Sequence, residues 1–285
     1  MIVEIEKLVE GGQGLARRED GKVCFVWNAL PGERVDVTLF SNRKDFAEGI
    51  ATEILIASPD RRAPIDPHYL SSSPWQMMAK EKEHSYKQRI AAETYAKIGN
   101  MIVSAESLHM GSDDQYEHYR NKMEFSFAED TQKNICLAFF ERGGKQRIVI
   151  EESVLANPQI TAISKELLAW VREQQIPLRS LKSLIVRSAS RTTDDGVIHH
   201  DVIAALFIKD KLSFSSYPKV HDALKGVSIY YSTHKSPASI PTELLFHEGD
   251  TSLRQEILGT NLSYGIFSFF QINPPVFTQA LADIA

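Results

Sequence analysis

The chain has 285 residues, of which 43% are hydrophobic and 24% charged, and its net charge of −5 argues mildly against a nucleic-acid coat while allowing a local basic face. It contains no apolar run near the roughly 18 residues that span a bilayer, and its alternating, acidic start is unlike a secretion signal. Two cysteines exclude a disulfide framework, so we expect a cytoplasmic protein without membrane contacts.

The first predicted domain is a small β barrel. Short runs of alternating hydrophobicity over residues 1–9, 22–27, 35–40 and 48–56 predict strands, with glycine-rich turns between them. Short strands joined by such turns are typical of an OB-like barrel. We assign residues 1–63 to this domain.

A linker loop and a long helix are predicted for residues 64–118, with the helix running from Trp75 to Ile98 through good helix formers. The following region, residues 119–255, has the pattern of an α+β domain. Its predicted elements are a helix over 160–175 and strands over 119–127, 134–140, 147–150, 181–188, 197–208 and 227–233. Pro274 or Pro275 is placed to open a last helix, since proline suits the first helical turn.

The glycine-rich segment Lys7–Arg17 (KLVEGGQGLAR) is followed by Ala29–Glu33 (ALPGE) and Ser58–Pro64 (SPDRRAP). The glycines do not form a P-loop, because no Lys-Ser/Thr pair follows them and a strand comes next. This set of motifs resembles the TRAM domain that precedes many RNA-modifying methyltransferases. The same glycines serve as tight-turn residues, so the structural interpretation and the resemblance hold together.

Two further motifs lie in the central region, Tyr119–Phe127 (YRNKMEFSF) and Ala138–Val149 (AFFERGGKQRIV). They resemble a Tyr-Arg-Asn-Lys strand and a hairpin of the RNA (uracil-C5) methyltransferase family. Arg120 and Lys122 alternate along the predicted strand, which points both toward one face and suits the holding of adjacent phosphates. The alternative is an edge strand protected by charge.

The last motif is Phe267–Pro275 (FSFFQINPP). It resembles the segment that leads into the Rossmann-like α/β methyltransferase domain of the same family, which acts on tRNA and 23S rRNA. The resemblance implies that Gln271 contacts S-adenosylmethionine and that Phe269 or Phe270 lies close to a flipped uracil, where stacking holds extruded bases. The alternative is that the aromatics are core residues and that Asn273 caps the next helix.

Many members of that family hold an iron–sulfur cluster through four cysteines. The corresponding positions in this sequence are Asp66, Ser72, Trp75 and Val154. None supplies a thiolate, so we expect no cluster, and no spacing suits a zinc site. Cys24 and Cys136 lie in apolar β runs and are predicted to be buried, inert thiols.

The resemblance implies that the catalytic cysteine, the base and the acidic cofactor loop follow the last motif, where only Val276–Ala285 remain. We therefore expect residues 256–285 to be the beginning of a methyltransferase domain that is cut off, with no catalytic residue in this chain and no activity of the chain alone. We expect a monomer that contributes RNA binding. The residues expected to contact RNA are Lys7, Arg17, Arg18, Arg120, Lys122, Phe269 and Phe270. Two alternatives remain open: a stand-alone RNA-binding module or truncated paralogue without catalysis, and a scaffold that no longer binds RNA.

Overall fold

The computed structural model describes residues 1–113, 115–192, 198–236 and 239–284, so Val197 and Ala285, which fall in predicted elements, lie outside the described residues. The chain divides into two compact units. The barrel unit comprises Met1–Met110 and Phe140–Gln146, and the sheet unit comprises Gly111–Phe139 and Arg147–Ala285. Among the described residues, no helix is long and apolar enough to cross a membrane.

Five strands of the barrel unit close into a barrel in the order β1-β2-β3-β5-β4. Their bounds are β1 Ile2–Leu8, β2 Gly14–Arg17, β3 Val23–Trp27, β4 Arg34–Asn42 and β5 Phe46–Ile56. Alternate residues such as Val3, Ile5 and Val26 fill the interior, as the period of two requires. The barrel closes through a parallel pairing of β3 with β5. The predicted OB-like barrel is confirmed.

A buried ion pair fastens the segment that leaves the barrel. The Glu33 carboxylate is fully buried and accepts hydrogen bonds from the backbone N–H groups of Leu30 and Ser58. The guanidinium of Arg61 completes its shell, with Nε and Nη2 at 2.5 and 2.7 Å from the two carboxylate oxygens. Arg61 also donates to the carbonyl of Asn28. This bidentate geometry offsets the cost of burying the charge.

The helical part of the barrel unit consists of α1 (Tyr69–Ser72), a 3₁₀ turn over Pro74–Met77, α2 (Lys80–Gly99) and a second 3₁₀ turn over Ala105–Ser107. The prediction of one helix from Trp75 is therefore wrong at its start. Met78 and Ala79 are extended, and Met77 and Met78 are buried in a small core with Leu8 and Leu30 of the barrel. Packing of these side chains overrides the helical propensity of the segment.

Seven strands form one sheet in the sheet unit, in the order β12-β11-β10-β9-β6-β7-β8. Their bounds are β6 Lys122–Glu129, β7 Ile135–Phe140, β8 Arg147–Val149, β9 Leu181–Thr192, β10 Ile198–Ile208, β11 Leu224–Tyr231 and β12 Glu243–Gly249. β10 pairs with β11 in parallel and with β9 antiparallel. The α+β architecture predicted for this region is confirmed, although β12 was not predicted.

The two faces of this sheet are covered differently. Helix α3 (Pro158–Glu173) packs on one face through a core that includes Ile160, Ile163 and Leu167. On the other face lie the hairpin β13 (Ser252–Ile257) and β14 (Thr260–Gly265) and the segment after it. The chain then continues into α4 (Pro274–Ile284). The second face therefore carries the last sequence motif.

We expect Arg61→Met to lower the free energy of unfolding of the barrel unit by about 3–5 kcal/mol, because it leaves the Glu33 charge buried and unpaired. The measurement is urea denaturation. Arg62→Met is the matched control, since the exposed Arg62 guanidinium donates to the backbone carbonyls of Pro59 and Arg61 and not to Glu33. Equal midpoints for the two variants would contradict a stabilising role for the pair.

Candidate functional site

The segment Phe267–Asn273 lies on the second face of the sheet, and its three aromatic side chains differ in exposure. Phe267 packs edge-on against Phe207 and Tyr230, at 6.0 and 5.5 Å between ring centroids. Phe270 stacks on Tyr264 at 4.1 Å. Phe269 is 85% exposed. The core interpretation therefore suits Phe270. Phe267 packs against two rings but is 49% exposed, and Phe269 presents its ring to solvent.

A buried cation holds the start of this segment. Arg187, on β9, is 1% exposed, and its Nη1 donates to the carbonyl oxygens of Gly265 and Ser268 at 2.7 and 2.6 Å. The guanidinium lies 4.9 Å from the ring centroid of Tyr264. Burial lowers the pKa of Arg187 and raises the pKa of Tyr264 to about 12. The turn before Phe269 is thus fixed from the sheet beneath it.

Asn121 connects two sequence motifs that lie far apart in the chain. Its Nδ2 donates to the carbonyl of Gln271 at 3.0 Å, and its backbone N–H donates to the carbonyl of Ile272 at 3.2 Å. Its own carbonyl accepts from the N–H of Ser188. Asn121 was not among the predicted site residues, and the sequence separation of 150 between the partners left no local signal for the contact.

Lys122 and Arg120 differ in their placement. Lys122 pairs with Arg187 across β6 and β9, so the two side chains share the second face of the sheet. Burial, then the neighbouring Arg187, lowers the pKa of Lys122, and Arg120 adds to the effect. The prediction that the strand begins at Tyr119 is wrong, because the backbone of Arg120 bonds Leu155 and Asn157 instead. The Nε of Arg120 donates to the carbonyl of Lys122.

The side chain of Gln271 is exposed. The hydrogen bond from Asn121 to the Gln271 carbonyl fixes the backbone of Gln271 and therefore the point from which its side chain extends. One exposed amide is not a binding site for a molecule as large as S-adenosylmethionine. The residues described around it therefore do not by themselves fit that cofactor.

The three predicted RNA contacts of the barrel are each paired with a carboxylate. Lys7 pairs with Glu93, Arg17 with Glu6 at 3.6 Å, and Arg18 with Asp20 at 3.3 Å. Ion pairs at the surface contribute little free energy, so such cations can exchange a carboxylate for a phosphate. The pairs leave the prediction for these residues standing.

The barrel also carries two aromatic rings and a cation that were not among the predicted RNA contacts. The Phe25 and Phe46 rings meet edge to face at 5.8 Å, and the guanidinium of Arg43 lies 5.5 Å from the Phe46 ring. Aromatic rings beside a cation are the elements with which OB folds stack nucleobases. The alternation in β3, where Cys24 and Val26 are buried, is the signal that places Phe25 outside.

The four positions that correspond to cluster ligands have other partners. Asp66 exchanges hydrogen bonds with Gln76, Ser72 Oγ lies 3.3 Å from His68 Nδ1, and Trp75 Nε1 donates to the carbonyl of Gly12. Val154, in the sheet unit, accepts a hydrogen bond from the N–H of His118. The described part of the chain contains no cluster of three His, Cys, Asp or Glu residues able to hold a metal.

The two thiols lie in different surroundings. Cys24 is buried in the barrel core, and burial raises its pKa. Cys136, on β7, is half-buried rather than buried as predicted, and its Sγ lies 3.4 Å from Nη2 of Arg172.

Two family models match the chain. Residues 1–52 match the TRAM domain, and residues 86–187 match the family described as tRNA (uracil-5-)-methyltransferase. Together they include strands β1–β4, the part of β5 up to Thr52 and the Tyr119–Phe127 motif.

Among similar proteins, a 23S rRNA (uracil-C5)-methyltransferase RlmD of Halomonas elongata is 30% identical over 61% of this chain and 36% of its own length. An uncharacterized RNA methyltransferase of Fusobacterium nucleatum is 25% identical over 99% of this chain and 62% of its own length. The tRNA (uracil-54, C5)-methyltransferase of Pyrococcus abyssi, solved with S-adenosyl-L-homocysteine, matches the fold with a TM-score of 0.70 at 15% identity, over all of this chain and 64% of that one. The chain thus spans about a third to two thirds of the length of these relatives.

We expect Arg187→Met to speed hydrogen–deuterium exchange in residues 265–273 by about tenfold or more. The change removes two charged hydrogen bonds, each contributing about 1.5–3 kcal/mol, from the turn that Arg187 holds. The exposed Arg179 provides the control variant Arg179→Met. Unchanged exchange in this segment of the Arg187 variant would show that the turn is held by other contacts.

Proposed function

Because the chain belongs to the RNA (uracil-5-)methyltransferase family with an N-terminal TRAM domain, we propose that it supplies the RNA-binding part of an enzyme that methylates C5 of a uridine. The methyl donor of that enzyme is S-adenosylmethionine, and its substrate is tRNA or 23S rRNA. The observation that carries the proposal is the placement of Lys122 beside Arg187 on the face that also carries the Phe267–Asn273 segment.

The cations near this segment favour an anionic ligand. Lys122 lies next to Arg187 and Arg120, and the carboxylate of Glu124 partly offsets these positive charges. Like charges held together in a half-buried setting repel one another, and an anion placed among them lowers that repulsion. A phosphate of RNA is the ligand that this charge pattern favours.

Phe269 supplies the second element of the proposal. An exposed phenyl ring next to a cationic strand suits stacking on an unpaired base, while the cations hold the backbone. On the barrel, Phe25 and Phe46 with Arg43 offer a similar pairing of rings and charge. Lys7, Arg17 and Arg18 can add phosphate contacts by exchanging their carboxylate partners for the RNA backbone.

Methyl transfer to uracil C5 needs a thiolate that adds to C6 and a base that removes the C5 proton. The sequence contains two cysteines, and we assign neither as the nucleophile. Cys24 lies in the barrel core, and Cys136 lies on β7 with its Sγ in contact with the Arg172 guanidinium. We therefore propose that these 285 residues bind RNA and that the catalytic groups belong to the part of such enzymes that this chain does not span.

We expect Arg120→Gln with Lys122→Gln to weaken binding of an unmodified tRNA or 23S rRNA fragment and to reduce the slope of log affinity against log salt by about 1–2, because each lost phosphate contact releases one counterion fewer. Fluorescence anisotropy at several salt concentrations measures both. Lys165→Gln on α3 is the control, since Lys165 is exposed and faintly paired with Glu152 at 3.9 Å. An unchanged slope would remove these two residues from the RNA contact.

We expect no methyl incorporation by the 285-residue chain in a filter assay with labelled S-adenosylmethionine and unmodified RNA. The physical reason is that methyl transfer needs a thiolate nucleophile, and we assign that role to neither Cys24, whose burial raises its pKa, nor Cys136. A positive control is a full-length member of the family on the same RNA. Incorporation above background by this chain would overturn the division of labour proposed here.

A further inference from the structure

The barrel unit contains a cavity of about 650 Å³ that the proposed function does not use. It lies between the β1–β2 loop, the 3₁₀ turn over Pro74–Met77 and helix α2. Its volume falls within the roughly 300–1,000 Å³ of small-molecule sites, which are mostly apolar with a few polar groups. One face of α2 forms its longest wall, because the lining residues recur at helical spacing: Glu83, Lys87, Ile90, Ala91, Thr94 and Tyr95.

The indole ring of Trp75 forms a second wall, and the loop beside it holds the ring in place. Trp75 Nε1 donates to the carbonyl of Gly12 at 3.3 Å. A Cβ atom on Gly12 would lie 2.4 Å from that nitrogen, so the ring reaches this position only beside a glycine. The φ of Gly12 is +91°, which glycine adopts readily. Because the ring is placed before a ligand arrives, less ordering is needed on binding.

The side chain of Lys87 indicates which chemistry this ring accepts. Its Nζ lies 5.7 Å from the centroid of the Trp75 ring and 2.6 Å from Oε1 of Glu83. A cation within about 6 Å of the face of an indole is attracted by the ring quadrupole. An ammonium group is therefore already held between an aromatic face and a carboxylate. The Lys87 side chain is 44% exposed, so it covers the ring without filling the cavity.

The remaining charge of the lining is negative. Glu10 and Glu83 both line the cavity, against the one cation Lys87. Glu10 is exposed and makes no ion pair within the part of the chain that the structure describes. Apolar groups of Ile90 and Ala91 complete the wall. An apolar surface flanked by carboxylates complements a ligand whose ammonium groups are separated by methylene groups, and it disfavours anions.

We propose that this cavity binds a polyamine, an alkyl chain that carries ammonium groups. One ammonium group takes the place of the Lys87 amine between Trp75 and Glu83, a second reaches Glu10, and the methylene groups between them contact the apolar wall. Lys87 is then an internal competitor that the ligand displaces. The inference does not depend on the proposed function, because it uses none of the residues assigned to RNA.

Isothermal titration calorimetry of the full chain with spermidine tests the proposal. We expect Lys87→Met to lower the Kd about three- to tenfold, because it removes the competitor from Trp75 and frees Glu83. Arg89→Met is the matched control, since it removes the same charge from the same helix and Arg89 lies 5.7 Å from the ring of Tyr86 instead. No binding by either wild type or Lys87→Met, or a Kd that Lys87→Met lowers no more than Arg89→Met does, would overturn the proposal.

The contact at Glu10 has its own pair of variants. We expect Glu10→Gln to raise the Kd for spermidine about threefold or more, because the second ammonium group loses its carboxylate. Glu81→Gln removes the same charge from an exposed position on α2 outside the cavity and should have little effect. Equal increases for both variants would contradict the contact, since they would reflect attraction to the net charge of −5 of the whole chain.

Nuclear magnetic resonance locates the bound ligand. The sequence contains three tryptophans, and the indole N–H resonance of Trp75 is assigned with Trp75→Phe. We expect spermidine to shift this resonance and to leave that of Trp27 in place, because the Trp27 ring is outside the cavity and already carries the Arg142 guanidinium at 4.5 Å. Binding heat without a shift at Trp75 would place the ligand elsewhere and overturn the proposal.

Discussion

The buried guanidinium of Arg187 is the interaction on which the second face of the sheet depends. A turn of irregular backbone packed on a sheet removes carbonyl oxygens from water, and each costs free energy until a donor reaches it. Arg187 provides both donors from one nitrogen, to Gly265 and Ser268, while Tyr264 covers the cation. Burying the Arg187 charge costs free energy that these contacts offset, so the turn is stable in the geometry that keeps them. The positions of Phe269, Phe270 and Gln271 follow from that geometry, and Asn121 fixes the segment again one step later.

The barrel unit solves a similar problem with a charge of the opposite sign. The segment between β5 and α2 contains little regular structure, so its own backbone hydrogen bonds do little to hold it in place. The buried Glu33 carboxylate attaches this segment to the barrel, because it accepts hydrogen bonds from two backbone N–H groups and from Arg61. Met77 and Met78 then pack on Leu8 and Leu30. The positions that align with the cluster cysteines of the family carry no thiolates in this chain. An ion pair and a small apolar core hold this segment instead.

The sequence predicted those parts of the fold in which a local period decides the structure. Alternation predicted four of the five barrel strands and most of the large sheet, because one buried face is enough to mark a strand. It did not predict the short strand β2. It failed for β12, where four successive residues are half-buried and no clean alternation exists. The predicted starts of α2 and β6 were also wrong. Tertiary contacts, rather than local sequence, determine the backbone conformation at Met78 and Arg120. In the candidate site, motifs identified Lys122 and Gln271, but not Asn121 or Arg187, whose roles arise from partners far along the chain.

The cap of helix α3 has a consequence beyond the packing of that helix on the sheet. The Asn157 amide accepts from the N–H of Gln159 through its Oδ1 and faces Nδ1 of His200 through its Nδ2, so the first turn of a core helix and the protonation of an imidazole share one group. A proton on Nδ1 would meet an N–H that cannot turn away without giving up the cap. Because the folded protein lowers the pKa of His200, the unfolded chain binds this proton more tightly. The stability that the neutral ring contributes is therefore present above the unfolded pKa, about 6.5, and declines as the pH falls toward the folded value. Mild acid would thus act on the helix and on the charge of the neighbouring imidazole together.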